Sequence, residues 1–216
     1  MVEIIEIDKW KRKNSFIGFV NSGPTKRSAT VLLECTNLYE LSKRECIPMP
    51  VVVYHAILSA VNHFEQFRVR VVSTEYVAFY KQIDLTTMEL SREKQLVFLN
   101  TLFDSSLQKF YQSYKENRKK IKMGTVKNSD SNAINTISCS ALTSLNITHL
   151  SSYSSCARCE RGVIRFTFGK VEVKEGVANM YVSVDFSHSL IDGYDWQLFV
   201  NYFSNEYGQE DSKLNL

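Results

Sequence analysis

Met180-Tyr181-Val182-Ser183-Val184-Asp185-Phe186-Ser187-His188-Ser189-Leu190-Ile191-Asp192-Gly193 is the stretch whose pattern says most about the chain. Its first eight residues alternate, so Met180, Val182, Val184 and Phe186 share one face of a strand. His188 falls on that same apolar face, at the strand's end. Beyond Gly193 the period changes. Trp196, Phe199, Val200 and Phe203 recur at three- and four-residue spacings, which predicts a helix. Strand, tight turn and helix thus deliver an imidazole into dry surroundings, a good setting for a general base. The residues also fit a plainer reading, a core histidine bonded to a carbonyl and followed by ordinary Asp-Gly turn chemistry.

Other segments add strands and helices around this one. Trp10 to Phe19 reads as a short helix ending before Gly23-Pro24, and Thr30 to Cys35 as a strand. Thr36-Asn37-Leu38-Tyr39 opens another helix. Pro50 at a first turn, with apolar Val53, Ile57, Ala60, Val61 and Phe64, predicts a helix where bare propensity favours a strand. Val69–Val72 and Tyr76–Tyr80 predict a hairpin across Ser73-Thr74-Glu75. Residues 93–120 read as one long helix through Leu96, Leu99, Leu102, Phe103, Leu107, Phe110, Tyr111 and Tyr114. Its basic end, Lys115, Arg118, Lys119, Lys120 and Lys122, suits a solvated face that complements the helix dipole. The alternative is attraction of coenzyme A phosphates. Residues 124–133 and 151–162 read as polar connections.

With 216 residues, 44% of them apolar and 12% aromatic, the chain fits one α/β domain over 1–216 with a large core. A net charge of +3 is too mild for a nucleic-acid protein. No apolar run reaches the length of a membrane span, and the first residues lack the look of a secretion signal. The five scattered cysteines suit reduced thiols and a cytoplasmic protein. Cys156-Ala157-Arg158-Cys159 is a Cys-x-x-Cys without two further ligands at a common zinc spacing, so no metal site is expected.

The chain resembles the type A chloramphenicol acetyltransferases nearly end to end. The likeness runs through Ile7-Asp8-Lys9-Trp10-Lys11-Arg12-Lys13 with Phe16, then Met49-Pro50-Val51-Val52-Val53-Tyr54. It continues through Ala60-Val61-Asn62-His63-Phe64-Glu65-Gln66-Phe67-Arg68, Thr143-Ser144-Leu145-Asn146 and Phe166-Thr167-Phe168-Gly169-Lys170, and ends on the His188 motif. Catalytic domains of dihydrolipoamide acyltransferases share the motif and a similar fold. The resemblance implies a two-layer α/β sandwich with a mixed sheet, assembled as a homotrimer with acceptor pockets at subunit boundaries.

It also implies chemistry. Acetyl-CoA is the expected co-substrate and a hydroxylated small molecule the acceptor, with no metal, nucleic acid or membrane involved. His188 matches the family's base, its ring held in one tautomer by its own backbone carbonyl. Ser144 matches the serine that steadies the oxyanion. Asp192 is expected to support the site rather than relay a proton, paired with Arg12 behind the turn that Gly193 completes. Thr167 matches a threonine that helps hold a water near the transition state, and Lys170 a position near the coenzyme. The family's first His, Phe and last His of the motif are here Ser187, Tyr194 and Asp195. Its Pro-Trp before the serine is absent, its aromatic after the lysine is Val171, and the drug-pocket segment is altered to Gly18-Phe19-Val20-Asn21 followed by Lys26-Arg27. Acetyl transfer is therefore better supported than chloramphenicol as acceptor. Acyl transfer to a different acceptor and a catalytically silent binder of the same fold are the competing readings.

Overall fold

The computed structural model describes residues 2–125, 133–151 and 161–207. A seven-stranded sheet dominates. Its strands are β2 (Lys26–Glu34), β5 (Asp84–Leu90), β6 (Leu96–Thr101), β7 (Thr136–Ala141), β8 (Arg165–Phe168), β9 (Glu172–Lys174) and β10 (Val177–Ser187). Their order is β2-β10-β8-β7-β5-β6, with β9 appended to β10. β7 runs parallel to both β5 and β8, and the remaining pairs are antiparallel, so the sheet is mixed, as expected. β1 (Val2–Glu6), β3 (Val69–Val71) and β4 (Tyr76–Tyr80) form a small antiparallel sheet that contains the expected hairpin.

Helices pack on the sheet face that carries Met180, Val182, Val184 and Phe186, all buried. α3 (Met49–His63) starts on Pro50 and buries both Val51–Val53 and Tyr54–Leu58, so its propensity for strand is overridden by packing on all sides. Its Tyr54 ring meets Phe168 of β8 at 5.6 Å. α5 (Gly193–Asn201) lays Trp196 and Phe199 against Phe166 and Phe186. Each such buried side chain contributes about 1.5–3 kcal/mol through removal from water. α1 (Lys13–Asn21) and α2 (Thr36–Arg44) flank β2 in the chain. Arg70, wholly buried, donates to the carbonyls of Phe67, Val69, Ile134 and Thr136, which ties the small sheet to the start of β7.

The long helix expected over 93–120 is two elements. Residues 96–101 are β6, paired with β5 from Leu85↔Thr101 to Leu90↔Leu96. The reversal between them closes with Ser91 N–H on the Gln95 carbonyl and puts Lys94 at a φ of 60°. The helix α4 begins at Leu107 and runs to Lys122, capped by the Ser106 hydroxyl, which accepts from the Lys109 N–H. Leu96, Leu99 and Leu102 have a spacing that a helix also satisfies. Strand pairing wins because β5 offers an antiparallel partner for every residue of the run.

Candidate active site

β10 ends at Ser187, and the His188 N–H donates to the Thr25 carbonyl at 2.7 Å. The N–H groups of Leu190 and Ile191 then both turn back to the Ser187 carbonyl, each at 3.1 Å. This tight turn brings the Ile191 carbonyl within 3.0 Å of His188 Nδ1. The ring is therefore held by Ile191 and not by its own carbonyl, because the turn curls beneath the imidazole. A carbonyl only accepts, so the neutral ring carries its proton on Nδ1 and leaves Nε2 as the acceptor. Among the described residues no polar atom pairs with Nε2.

Apolar groups surround the imidazole. The Phe19 ring lies against it with centroids 4.1 Å apart, and Phe186 meets it edge-on at 6.4 Å. A cavity of about 460 Å³ opens beside it, walled by Ala29, Val31, Val182, Val184, Trp196 and Val200. Gly193 also lines this cavity, and a Cβ there would meet nothing within 4 Å of the protein. Its backbone needs no glycine, so a side chain at 193 would simply take up cavity space.

Behind the turn, Arg12 Nη2 donates to Asp192 Oδ2 and Nη1 to Asp195 Oδ2, both at 2.7 Å. The expected Arg12–Asp192 pair is present, but the guanidinium fork is divided between two carboxylates. Asp192 also caps α5, because its Oδ1 accepts from the N–H groups of Tyr194 and Asp195. Asp195 reciprocates by accepting from the Asp192 N–H at 2.8 Å, completing a capping box. Aspartates at a helix start also complement its dipole. In the sequence Asp195 reads only as a lost histidine. The Asp192-x-x-Asp195 spacing ahead of an apolar helix is the signal that marks its role.

Ser144 lies elsewhere. It is exposed in the turn after β7, where Leu145 N–H bonds the Leu142 carbonyl. Gly169 lets this loop approach β8: a Cβ there would sit 2.8 Å from Ile147 Cγ1 and 2.9 Å from the Leu145 carbonyl. The exposed Lys170 donates its backbone N–H to the same carbonyl at 3.0 Å. Thr167 is buried on β8 opposite Ser183 and Ser140, on the sheet face away from Phe166 and the cavity. Register places the Ser144 loop at the far end of the strands. Ala141 pairs with Phe168 and Phe168 with Val182, six residues from His188. That is about 20 Å of strand. Within one chain the strand register therefore separates His188 and its Arg12–Asp192 brace from the loop that carries Ser144 and meets Lys170.

A protein-family model described as chloramphenicol acetyltransferase matches residues 1–204. The chain belongs to the chloramphenicol acetyltransferase family. It is an acyltransferase by that membership. It is similar to a chloramphenicol acetyltransferase of Clostridium butyricum, 24% identical over 205 residues covering 92% of this chain and 91% of the relative. One from Staphylococcus aureus is 24% identical over 212 residues, covering 94% and 97%. A solved chloramphenicol acetyltransferase superposes with a TM-score of 0.82 at 22% identity, over 95% of this chain and 99% of that one. A probable dihydrolipoamide acetyltransferase from Listeria monocytogenes follows at a TM-score of 0.64 and 11% identity, over 92% and 94%. These superpositions extend the family fold to the second group that the sequence resembles.

Within this chloramphenicol acetyltransferase fold, the basic end of α4 is exposed. Lys115, Lys119, Lys120 and Lys122 are exposed, Arg118 pairs with Glu89 at 2.8 Å, and the helix lies over β5 and β6 at the edge opposite β2. Cys156 and Cys159 lie outside the described residues. Cys139 is buried in β7, and burial pushes its thiol well above the usual range. Among the described residues no helix is long and apolar enough to cross a membrane.

Proposed function

We propose that the chain is an acetyl-CoA-dependent O-acetyltransferase. It moves acetyl to a hydroxyl of chloramphenicol or a similar hydroxylated small molecule, and so inactivates an antibiotic. One domain spanning 1–216 acts within a homotrimer in the cytoplasm. The observation that carries this reading is the His188 ring, fixed at Nδ1 by the Ile191 carbonyl, with Nε2 unpaired among the described residues beside a largely apolar cavity.

Nε2 takes the proton of the acceptor hydroxyl as its oxygen bonds the thioester carbonyl carbon. The tetrahedral oxyanion collapses, the carbon–sulfur bond breaks, and coenzyme A leaves as the thiol with the proton carried by His188. A positioned base of this kind is worth about 10²–10⁴-fold. The Ser144 hydroxyl donates to the oxyanion, an interaction of about 10²–10³-fold. Thr167 helps hold a water, and Lys170 lies by the coenzyme. Asp192, with Arg12, braces the turn.

Two half-sites about 20 Å apart along one sheet act on one substrate only if each comes from a different copy. β2, an edge strand with Val31 and Leu32 exposed, offers an apolar border to that copy. The test is thiol release from acetyl-CoA by purified protein against a panel of hydroxylated antibiotics. Release with chloramphenicol supports the full reading. Release with another member only moves the acceptor. No release from any acceptor leaves a silent binder of the same fold.

A further inference from the structure

The cavity beside His188 has a second ionisable wall residue, Arg27. All its other lining groups are apolar side chains, Gly193 and the Trp196 indole. Arg27 pairs across the ladder with Phe186, while the His188 N–H bonds the Thr25 carbonyl. Arg27 is therefore a diagonal neighbour of His188 on the same sheet face, with backbones about 7–8 Å apart. The intervening floor is apolar: Ala29 lies opposite Val184, and Val31 opposite Val182.

Among the described residues the guanidinium has no acid to serve. Its Nη1 donates to the carbonyls of Pro24 and Lys26, both at 2.9 Å, and among the described residues no carboxylate pairs with it. Asp192 and Asp195, the carboxylates nearest the turn, are already taken by Arg12. Arg27 stands four residues before Val31 on β2 and is exposed at the cavity mouth within the single chain. A neutral acceptor gains nothing from such a cation. A carboxylate does, because a guanidinium fork matches its two oxygens and the low-dielectric wall strengthens the pair.

We propose that Arg27 makes this site selective for an acidic acceptor: a small molecule with a hydroxyl for His188, an apolar body for the β2–β10 floor, and a carboxylate for Arg27. This rests on the acetyltransferase reading and, within it, replaces neutral chloramphenicol by an acidic hydroxylated acceptor. Coenzyme A phosphates are the other anions available to Arg27, and the kinetics separate the two.

Tropate carries a primary hydroxyl, a phenyl ring and a carboxylate, and its methyl ester removes the charge and adds one methyl. Steady-state acetylation of both is compared in the parent, Arg27→Gln and Arg27→Lys, with thermal melting to check the fold. A charge-assisted contact is worth about 10- to 100-fold in affinity. The parent should favour tropate over the ester. In Arg27→Gln the tropate-to-ester ratio of kcat/KM should fall about tenfold or more through KM for tropate, and Arg27→Lys should restore part of it. An unchanged ratio overturns the proposal, as does a loss accounted for by a raised KM for acetyl-CoA. Calorimetric binding of tropate gives a readout that needs no turnover. Arg27-dependent binding without thiol release would uphold the acidic pocket and sink the transferase reading. Turnover of neutral acceptors with no Arg27 dependence would do the reverse.

Discussion

The Phe19 ring rests against the His188 imidazole, centroids 4.1 Å apart and planes inclined by 38°. One face of the base is thereby closed by the end of α1, while the Ile191 carbonyl fixes its edge. His188→Ala should lower acetyl transfer by several orders of magnitude with a nearly parental melt. Phe19→Ala keeps the base and removes its backing, so kcat should fall about tenfold through misplacement of the ring. Turnover of His188→Ala near the parent's would remove the imidazole from the reaction.

The divided guanidinium ranks the brace residues. Asp195 is almost fully covered and Asp192 is 41% exposed at its side chain, so Asp195 carries the larger desolvated charge. Asp195→Asn should cost about 3 kcal/mol, the lower end for a broken buried pair. Asp192→Asn should cost about 1 kcal/mol, since asparagine still caps a helix. Arg12→Ala should couple to both in double variants. Denaturant melts that show full additivity, or a larger loss at Asp192, would contradict this ranking.

Separated half-sites give a complementation experiment. His188→Ala and Ser144→Ala should each be nearly inactive alone. Unfolded together and refolded, they should regain a fraction of parental activity, because mixed assemblies pair an intact His188 with an intact Ser144. Sedimentation should show trimers throughout. An active monomer, or no recovery from well-folded mixtures, would argue against sites shared between copies.

Gly169 tests the Ser144 loop directly. Gly169→Ala forces a methyl to within 2.9 Å of the Leu145 carbonyl, which must move. Activity should fall several-fold or more while stability drops by about 1–3 kcal/mol, the usual cost of overpacking. Parental kinetics in a stable Gly169→Ala protein would show that the loop position does not matter.

The sequence made β10, its turn and α5 legible because the period changes cleanly from two to about 3.6 at Gly193. α3 was legible through Pro50 despite its valines. The 93–120 segment was not, because Leu96, Leu99 and Leu102 satisfy both periods and the missed strand β5 supplied the deciding partner. The pattern Asp104-Ser105-Ser106 ahead of α4 is the cap that separates the two elements. In the site, His188, Asp192 and Arg12 came from motif and resemblance together. Phe19 entered only as part of the pocket segment that the resemblance marks; its packing against His188 is a contact across the fold that the residues do not announce. The separation of Ser144 from His188 follows from strand order, which a lone sequence does not contain.

Arg12 meets Asp192 and Asp195 across 180 and 183 residues, and β2 meets β10 over a similar span. On a ribosome, α1 and β2 emerge long before anything they must join. Until β10 and α5 are made, β2 has no neighbour in the large sheet and Arg12 has no acid. The nascent chain thus carries an unpaired apolar strand through most of its synthesis, the kind of segment chaperones hold and proteases cut. Stalled translation short of residue 177 would yield a chain whose β2 never finds its place in the large sheet.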